Sequence, residues 1–585
     1  MTVALVLAGE RRAGQGLSQD ANVGVPFNEQ LAALGVSRVD AAEHGAQAMV
    51  TVAAAARGAG DRVLICDGQP PVAELARLIH TGGTAAVAGP GQRVALLVHP
   101  DDLGELAEAA DDLALNYRRP ADPVGALLGE LASRGVTVRV IDGTSDGQVA
   151  DLVTDPAAAD MARWAGERVL TPAALYGIFL GLGLLSAVWF SELALRAKAF
   201  GVILLFAAFV TARAGQMLDV TIRAQGGHRS PAAVWFRLSS AIIVEFGLYA
   251  GIAASATIVV KGGANAGAGL SGIFGPALNS IADVGGQGAT GVWRLAITAM
   301  LLLAVRQMAD RCATIAGVET SHSKIVRLIC LPSGERLTVL CASVIFVGAR
   351  FAFIAGLGWG ALAFGYTLTR LFTAPQLRPG GPEIAAARGD GPLSLALGRL
   401  VAGRIPPLLP LLVGLLVTCM LTALGLGNLP GILVLTPVAA MLLAGLGSWH
   451  PHDTTGDWIV PAVLQAGEYI YLAALAFAHH VSAPVTIALV SAVVLRHFEL
   501  ACRARIWPAG PRQDDAGFGW EGRMIVAGIA AFFGIVPLGF AILAGWVWLV
   551  LIRDFLTQWL PSGYWRRPPE ELHVVKSTSP RRPAV

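Results

Sequence analysis

The run LTPAALYGIFLGLGLLSAVWF, residues 170–190, contains no charged side chain and is long enough to cross a lipid bilayer as one helix. Runs of the same kind recur after residue 190. They belong to a chain of 585 residues that is 54% hydrophobic and only 14% charged, whereas soluble domains carry roughly 25% charged residues. The composition therefore predicts a membrane protein with several spans and excludes a wholly soluble enzyme.

Eleven apolar runs are candidates for membrane helices, with bounds 171–190, 197–212, 234–260, 290–305, 337–349, 351–369, 406–426, 430–447, 459–478, 481–495 and 525–552. The last run is long for one helix, and Pro537 and Gly539 in its middle favour a helical hairpin. This interpretation makes twelve helices. The predicted fold is an all-α polytopic membrane region in two six-helix bundles, preceded by an amino-terminal α/β domain.

The first 165 residues have a different pattern. Short β-like runs at 3–8, 62–66, 94–98 and 136–141 alternate with helix-like stretches at 28–34, 72–80, 103–115 and 122–134. Strands separated by helices predict an α/β layered domain. The apolar run Met1–Leu7 is too short for a signal peptide and has no positive charge before it, so we expect this domain in the cytoplasm.

Arginine bias predicts the orientation of the membrane region. Alternation from a cytoplasmic amino terminus places the loops 213–232, 306–336, 370–404 and 496–523 inside. Two of these loops carry five arginines each, which are Arg370, Arg378, Arg388, Arg399 and Arg404 in one and Arg496, Arg503, Arg505, Arg512 and Arg523 in the other. The loop 261–289 carries only Lys261, as expected outside. We therefore expect a multi-pass protein of the plasma (inner) membrane.

These patterns divide the chain into five parts, which are the α/β domain 1–165, a first membrane bundle 166–376, a cytoplasmic linker 377–404, a second membrane bundle 405–556 and a disordered tail 557–585. The linker is expected to be solvated and without chemistry of its own. A net charge of +2 gives no reason to expect nucleic acid as a partner. The six cysteines lack CxxC spacing, so we expect neither a disulfide framework nor a metal site.

Three segments of the α/β domain carry a family resemblance. The glycine-bearing turn 8–16, the segment 24–36 and the strand end 63–68 resemble the first half of a sugar-phosphate nucleotidyltransferase. The resemblance implies that the turn holds a nucleoside triphosphate and that Asp67 holds Mg²⁺. It also implies a lysine soon after the turn, yet residues 1–197 contain none. We interpret the domain as a degenerate relative, and Asp67 can equally be part of a simple strand-end turn.

The first membrane bundle carries a second resemblance. The helix start Leu170-Thr171-Pro172, the segment Tyr249-Ala250-Gly251 and the helix end 305–310 resemble CDP-alcohol phosphotransferases over residues 163–373. Some members of that family carry a fused nucleotidyltransferase-like domain. The segments 495–499 and 517–524 resemble a domain of unknown function found behind such modules. The resemblance implies transfer of a substituted phosphate from a CDP-linked donor to an alcohol.

The family's motif holds two metal ions through four aspartates, one of which can act as a base. At the aligned positions this chain has Thr211, Ala214, Arg237 and Ala241. Between Phe200 and Glu245 the only acidic residues are Asp219 and Glu245, so no register supplies four carboxylates. We therefore predict a non-catalytic relative without catalytic or metal-binding residues. No cofactor is expected, and Mg²⁺ is implied only if activity is retained.

The polar residues left in these helices form the candidate site. The substrate-binding residues are predicted to be Arg213, Gly215, Asp219, Arg223, Arg237 and Glu245, lining a pocket for a phosphorylated headgroup. Interhelical salt bridges are the alternative explanation, since an ionisable group in a membrane needs a partner. Arg294 and Glu468 raise the same alternatives. The expected partners are a membrane lipid and a CDP-linked or otherwise phosphorylated small molecule, and a homodimer is allowed.

Three functions fit this sequence. The first is a non-catalytic membrane protein that binds a phospholipid or nucleotide, or acts as a scaffold in envelope lipid synthesis. The second is an active phosphotransferase that uses other residues. The third is a transporter with Arg237, Glu245 and Glu468 along a polar pathway.

Overall fold

In a computed structural model the described residues are 2–7, 36–42, 52, 53, 55–57, 59–67, 84–88, 94–116, 131, 134, 139–142, 154–168, 170–224, 231–261, 288–315, 329–331, 333–372, 381–425, 431–452, 454, 456–506 and 517–560. They fall into two compact units. One unit comprises 1–175, 210–233 and 572–585, and the other comprises 176–209 and 234–571. We call them the amino-terminal unit and the membrane unit. The predicted helices 28–34 and 72–80 lie outside the described residues, as does most of 122–134.

The amino-terminal unit contains a six-stranded sheet in the order β2-β1-β3-β5-β4-β6. Its strands are β1 Thr2–Leu7, β2 Val36–Ala42, β3 Arg62–Asp67, β4 Ala85–Ala88, β5 Val94–Val98 and β6 Arg139–Asp142. Four of these strands overlap the predicted β-like runs. The other two, β2 and β4, were missed because their sequences, VSRVDAA and AAVA, contain few large apolar residues.

Strand β1 pairs in parallel with both β2 and β3, and its last residue Leu7 is in register with Asp67. Asp67, the last residue of β3, therefore lies beside the end of β1. The glycine-bearing turn that follows Leu7 lies outside the described residues. Helix α1, Leu103–Asn116, and helix α2, Asp155–Glu167, follow in this unit.

Fourteen further helices are described, namely α3 Pro172–Ser191, α4 Leu195–Ala224, α5 Pro231–Lys261, α6 Gly288–Ile315, α7 Ser333–Phe346, α8 Ala349–Phe372, α9 Gly381–Ala387, α10 Pro392–Leu400, α11 Leu408–Ala423, α12 Thr436–Leu442, α13 Val460–Ala478, α14 Ala483–Ile506, α15 Gly519–Phe532 and α16 Val536–Asp554. Within the described residues, eight helical segments are long and apolar enough to span a membrane. These segments lie in α3, α4, α5, α6, α8, α13, α14 and α16. Several long apolar helices indicate a multi-pass membrane protein.

Three predicted spans are shorter in the structure than a bilayer requires. The run 337–349 belongs to α7, which has 14 residues, and 406–426 forms α11, which has 16. The run 430–447 is divided into 3₁₀, α and 3₁₀ turns, with Pro437 at the start of the α segment. These segments are apolar, but apolar composition alone does not fix helix length.

The long run 525–552 is divided between α15 and α16. The chain turns at residues 533–535, where Gly534 has a φ of +72° that favours glycine. The break therefore comes a few residues before the predicted turn, because Pro537 lies in the first turn of α16, where proline is tolerated. Helices α15 and α16 pack against each other.

Helix α16 has the surface expected of a lipid-facing span. Leu538, Ile542 and Leu549 are each more than half exposed, whereas Phe540 and Val547 on the opposite side are fully buried. A helix that is apolar on every side is stable only where its outward face is also shielded from water. This pattern supports a membrane location for the unit.

Glycines allow close helix contacts in the membrane unit. A side-chain carbon on Gly251 of α5 would lie 2.2 Å from the carbonyl oxygen of Ala187 in α3, and one on Gly183 would lie 2.4 Å from Val244. Small residues at helix crossings are typical of membrane proteins, because close packing substitutes for the hydrophobic drive. The Gly183 and Gly251 contacts thus hold α3 directly against α5.

The predicted solvated linker 377–404 contains two helices, α9 and α10, instead of extended chain. Arg388 between them is 1% exposed, and α9 packs against α13 and α14 while α10 packs against α15. The expectation of a solvated linker is therefore wrong for 381–400. Arg388, part of the charge run that suggested solvation, pairs with Asp390, as described below.

Helix α6 joins the two predicted bundles. It packs against α8 of the first bundle and against α13 and α14 of the second. At its amino-terminal end Arg294 donates a 3.3 Å hydrogen bond to the carbonyl of Phe477 in α13 and lies over that residue's ring. Most of the helical residues of both bundles, within 176–209 and 234–571, therefore lie in one compact unit.

Candidate functional site

Four of the six predicted binding residues lie on α4, within the segment 210–224 that belongs to the amino-terminal unit. Arg213 is 4% exposed and donates a 2.9 Å hydrogen bond to Gln216 Oε1, and Gly215 and Asp219 are also buried. The side chain of Arg223 lies outside the described part of the structure. Ala214 and Leu218 on this segment pack into a cluster with α2, which explains why it belongs to this unit.

The other two predicted residues, Arg237 and Glu245, lie on α5 in the membrane unit. Glu245 is 2% exposed and forms a bidentate ion pair with Arg336, whose Nε and Nη2 each lie 2.8 Å from a carboxylate oxygen. Tyr249 donates a further hydrogen bond of 3.2 Å to Glu245. Arg336 of α7 thus neutralises the negative charge of Glu245. The pair is an interhelical salt bridge, which is the alternative to a role in a binding pocket.

Arg237 has a different environment. In the described part of the chain it forms no ion pair, and Arg311 on α6 is a like charge in its surroundings. Arg311 stacks on Phe498, with Cζ 3.9 Å from the ring centroid, and its Nη1 lies 3.9 Å from Cys502 Sγ.

A small, largely apolar crevice lies beside Phe498 and Cys502. Its lining residues come from three helices. They are Trp235, Leu238 and Ser239 of α5, Leu495, Phe498, Glu499 and Cys502 of α14, and Leu551 of α16. Arg237, Arg311 and Cys502 are partly exposed. Neither Arg237 nor Arg311 lines the crevice.

A second group of charges is buried entirely between α13, α14 and α15. Arg523 donates to both oxygens of Glu468, at 2.6 and 3.0 Å, and its Nη2 also lies 2.8 Å from His497 Nε2. Tyr469 OH lies 2.8 Å from His497 Nδ1. All four side chains are at most 2% exposed. Glu468 is therefore a polar contact within the second bundle, one of the two roles that its sequence position allowed.

A third group includes the side chains around Arg388. Arg388 donates to Asp390 at 2.7 Å and to the carbonyl of Ala444 at 3.0 Å, and its Nη1 lies 3.3 Å from His452 Nε2. Trp520 donates to the same aspartate at 2.9 Å. This group fixes α9 to the chain before α13 and to the start of α15.

Glu521 adds a helix cap beside that group. Its two oxygens accept the backbone amides of Gly391 and Ser394, at 3.0 and 3.1 Å, in the first turn of α10. Amides at a helix start have no intrahelical partner, so an acceptor there is stabilising. Burial raises the pKa of Glu521. The cap explains why α10 starts directly after Gly391.

The His452 imidazole predicts a pH dependence of stability. Burial, and then the charge of Arg388, lower its pKa from about 6.5 to about 4. Below pH 6.5 this imidazole binds a proton in the unfolded chain but stays neutral in the folded chain. The free energy of unfolding therefore falls between pH 6.5 and pH 4, by about 3 kcal/mol at most. The free energy of unfolding of a His452→Gln variant should therefore change less over this range than that of wild type. Parallel pH curves for the two proteins would refute the assignment.

A fourth group lies next to the crevice, which Glu499 lines, and is centred on Asp554 of α16. Asp554 Oδ2 accepts from Arg496 at 2.6 Å and from Arg503 at 2.8 Å, and Oδ1 accepts from Arg553 at 2.7 Å. Glu499 accepts from Arg496 at 2.8 Å and from Trp559 at 3.1 Å. Both carboxylates are therefore fully engaged by cations.

Potential metal ligands are dispersed. Among the residues that the structure describes, no group of three His, Cys, Asp or Glu side chains is arranged to hold a metal ion. None of the six cysteines, all of which lie in the described part of the chain, is in a disulfide, and burial raises the pKa of the Cys66 thiol in β3 to about 12.

Sequence reasoning missed most of the arginines involved. Arg496 and Arg523 were counted as cytoplasmic loop residues, although α14 continues to Ile506 and α15 starts at Gly519, so both are buried. Arg311 directly follows the segment 305–310 that carries the family resemblance. The position of Arg311 in the last turns of an apolar helix could have pointed to it, because an arginine there needs a partner.

No curated protein matches the chain. One family model matches part of it. Residues 382–569, about a third of the chain, are similar to a family of unknown function, DUF5941.

Proposed function

We propose that the protein is a non-catalytic membrane protein, similar to CDP-alcohol phosphotransferases, that binds a phosphorylated lipid or nucleotide. The observation that carries this proposal is the charge on α5. Its carboxylate, Glu245, is committed to Arg336, while Arg237 is left without a carboxylate among the described residues. A helix that offers an arginine in place of acidic metal ligands is suited to contact phosphate directly.

The proposal includes a location. We place the protein in the plasma membrane with the amino-terminal unit in the cytoplasm, a scaffold position that suits envelope lipid synthesis. The absence of positive charge in 262–289 and the arginines of the opposite loops support this orientation. Protease added to inside-out vesicles should digest the amino-terminal unit, and protection of that unit there would reverse the orientation.

A CMP-release assay tests the non-catalytic part of the proposal. Purified full-length protein, Mg²⁺, a panel of CDP-linked donors and a panel of alcohol acceptors should yield no CMP above background. Two hard cations need several anionic oxygens, and among the described residues the helices around Arg237 do not group such oxygens together. An enzyme with the intact four-aspartate motif provides the positive control. Mg²⁺-dependent CMP release by this protein would establish the transferase alternative instead.

A further inference from the structure

We infer that helix α10 lies on the membrane surface and binds the headgroups of anionic phospholipids. Its outer surface combines two leucines of α10, a tryptophan from the turn after the segment 431–447 and two arginines, namely Leu393, Leu400, Trp449, Arg399 and Arg404. We call it the α10 surface. It is separate from α5, so its role does not rest on the proposed function. It belongs to a segment for which the sequence predicted no chemistry.

The burial pattern of α10 is the reverse of that in a helix exposed to water. Its small residues face the protein, since Ser394 is fully buried and a side-chain carbon on Gly398 would lie 2.1 Å from Ser448 Oγ. Two of its leucines face outward, because Leu400 is 82% exposed and Leu393 is nearly half exposed. A helix at a water-exposed surface buries its large apolar residues instead. The outward face of α10 is therefore suited to lipid.

Contacts at both ends fix the orientation of this face. At the amino-terminal end Glu521 accepts two backbone amides of the helix start. At the other end the chain makes a left-handed turn, with a φ of +69° at Gly403. A side-chain carbon on Gly398 would lie 2.9 Å from Cδ1 of Trp449, and one on Gly403 would lie 2.6 Å from the tryptophan carbonyl oxygen. Trp449 is therefore packed against the carboxyl end of α10.

The α10 surface lies beside the ends of two apolar segments. Helix α11 begins shortly after α10, and its Leu409 and Leu416 are each more than two-thirds exposed. A side-chain carbon on Gly447 would lie 2.5 Å from Cα of Pro407, so the end of the segment 431–447 meets the start of α11. Leucines with this exposure are stable where lipid shields them from water. Helix α10 therefore lies at the level where the lipid headgroups begin.

Two cations accompany the leucines. Arg399 and Arg404 are exposed, and within the described part of the chain neither forms an ion pair with a carboxylate. The Arg399 guanidinium lies over Trp449, with Cζ 5.3 Å from the ring centroid, a contact that attracts a cation to the ring face. Tryptophan and arginine both favour the level of the lipid headgroups, where the polar end of each side chain is hydrated and the rest is not.

An anionic phospholipid matches both properties of the α10 surface. Its headgroup supplies negative charge for the arginines, and its acyl chains cover the leucines. A soluble anion would supply the charge alone and would leave Leu400 in water. A second copy of the chain, packed face to face on this surface, would bring the arginines of both copies into one small interface, which repulsion between like charges disfavours. The occupant that fits is therefore the lipid surface.

Photolabelling in nanodiscs tests the α10 surface. Full-length protein is reconstituted into phosphatidylcholine discs that contain an equal small fraction of either phosphatidylglycerol or phosphatidylcholine with a diazirine next to the headgroup, and adducts are located by mass spectrometry. Both lipids should label 392–404, and phosphatidylglycerol should do so about tenfold more, because basic residues near a membrane attract anionic lipid. The segment 533–542, which has exposed apolar residues but no basic residue, should be labelled equally by both.

Single variants then test the arginines. Arg399→Gln and Arg404→Gln should each lower the ratio of phosphatidylglycerol adducts to phosphatidylcholine adducts on α10 by about fivefold. Arg196→Gln removes an exposed arginine at the start of α4 and should leave this ratio unchanged. Elution as a single species and unchanged labelling of 533–542 verify that the variants are folded and inserted.

A phosphatidylglycerol preference that both variants lower supports the proposal. Absence of adducts on α10, while 533–542 is labelled, would show that α10 does not face lipid and would overturn it. Cross-links from α10 to a second copy or to another protein in native membranes would also overturn it. Equal labelling by the two lipids, or a preference that neither variant lowers, would overturn the role of the arginines. Each of these failures leaves the proposed function standing, because CMP release and the binding of CDP-linked ligands are measured separately.

Discussion

Replacement of Glu468 by glutamine should destabilise the membrane unit by about 3–5 kcal/mol, the range observed when one partner of a buried ion pair is removed. The variant keeps the shape of the side chain but leaves Arg523 charged, fully buried and without its anion. His497 does not replace that anion, because an imidazole carries no negative charge. The free energy of unfolding in mixed micelles, followed by helical circular dichroism, measures the loss.

Two further variants make this result specific. Glu192→Gln removes a carboxylate from an exposed position after α3 and should have little effect. The double variant Glu468→Gln/Arg523→Met should recover much of the lost stability, because the uncompensated charge is gone. A loss below about 1 kcal/mol for the single variant would mean that the pair does not stabilise the bundle.

Asp554→Asn should have an effect of similar size, about 3–5 kcal/mol, by the same mechanism. Asp554 receives hydrogen bonds from three arginines, on α14 and on α16 itself, and it is 1% exposed. Removal of its charge leaves Glu499 as the nearest remaining carboxylate for Arg496 and Arg503. The contacts of α14 with α16 should therefore loosen first.

Limited proteolysis at neutral pH measures that loosening. Cleavage near the carboxyl end of α16 should become faster in Asp554→Asn, while cleavage within α3 should be unchanged. Glu192→Gln again serves as the matched control. Equal cleavage rates for wild type and Asp554→Asn, together with an unchanged free energy of unfolding, would show that the arginines do not depend on Asp554.

The membrane character and most spans could be predicted from the sequence, because a helix in lipid must be apolar along its whole length. All eight described membrane-spanning segments overlap predicted apolar runs. The need of Glu468 for a partner was also predictable from its position in such a run. Helix lengths were less predictable, since α11 and the turns of 431–447 are apolar but stop short of a span.

The partners of the buried charges could not be predicted. Arg523 is 55 positions from Glu468, and Arg336 is 91 from Glu245, so no local spacing connects them. Arginine in a charge-rich segment suggests a solvated loop, yet Arg388 and Arg496 are buried by helix packing. Pairings of this kind depend on tertiary arrangement, which local sequence pattern does not contain.

The same distinction applies to the candidate site. Arg237 is predicted as an anion contact from its place in a membrane helix, and that role stays a prediction. Arg311 and Cys502 come from α6 and α14, and only packing brings them together. The predicted set on α4 lies in the amino-terminal unit, so its role in binding stays a prediction.

Calorimetric titration of the full-length protein with CDP-diacylglycerol, once with Mg²⁺ and once with EDTA, tests the central claim most directly. The claim is that arginines bind phosphate without a metal ion. It predicts the same affinity under both conditions and no CMP in the recovered sample. Binding that appears only with Mg²⁺, accompanied by CMP, would contradict the claim and indicate an active metal-dependent transferase.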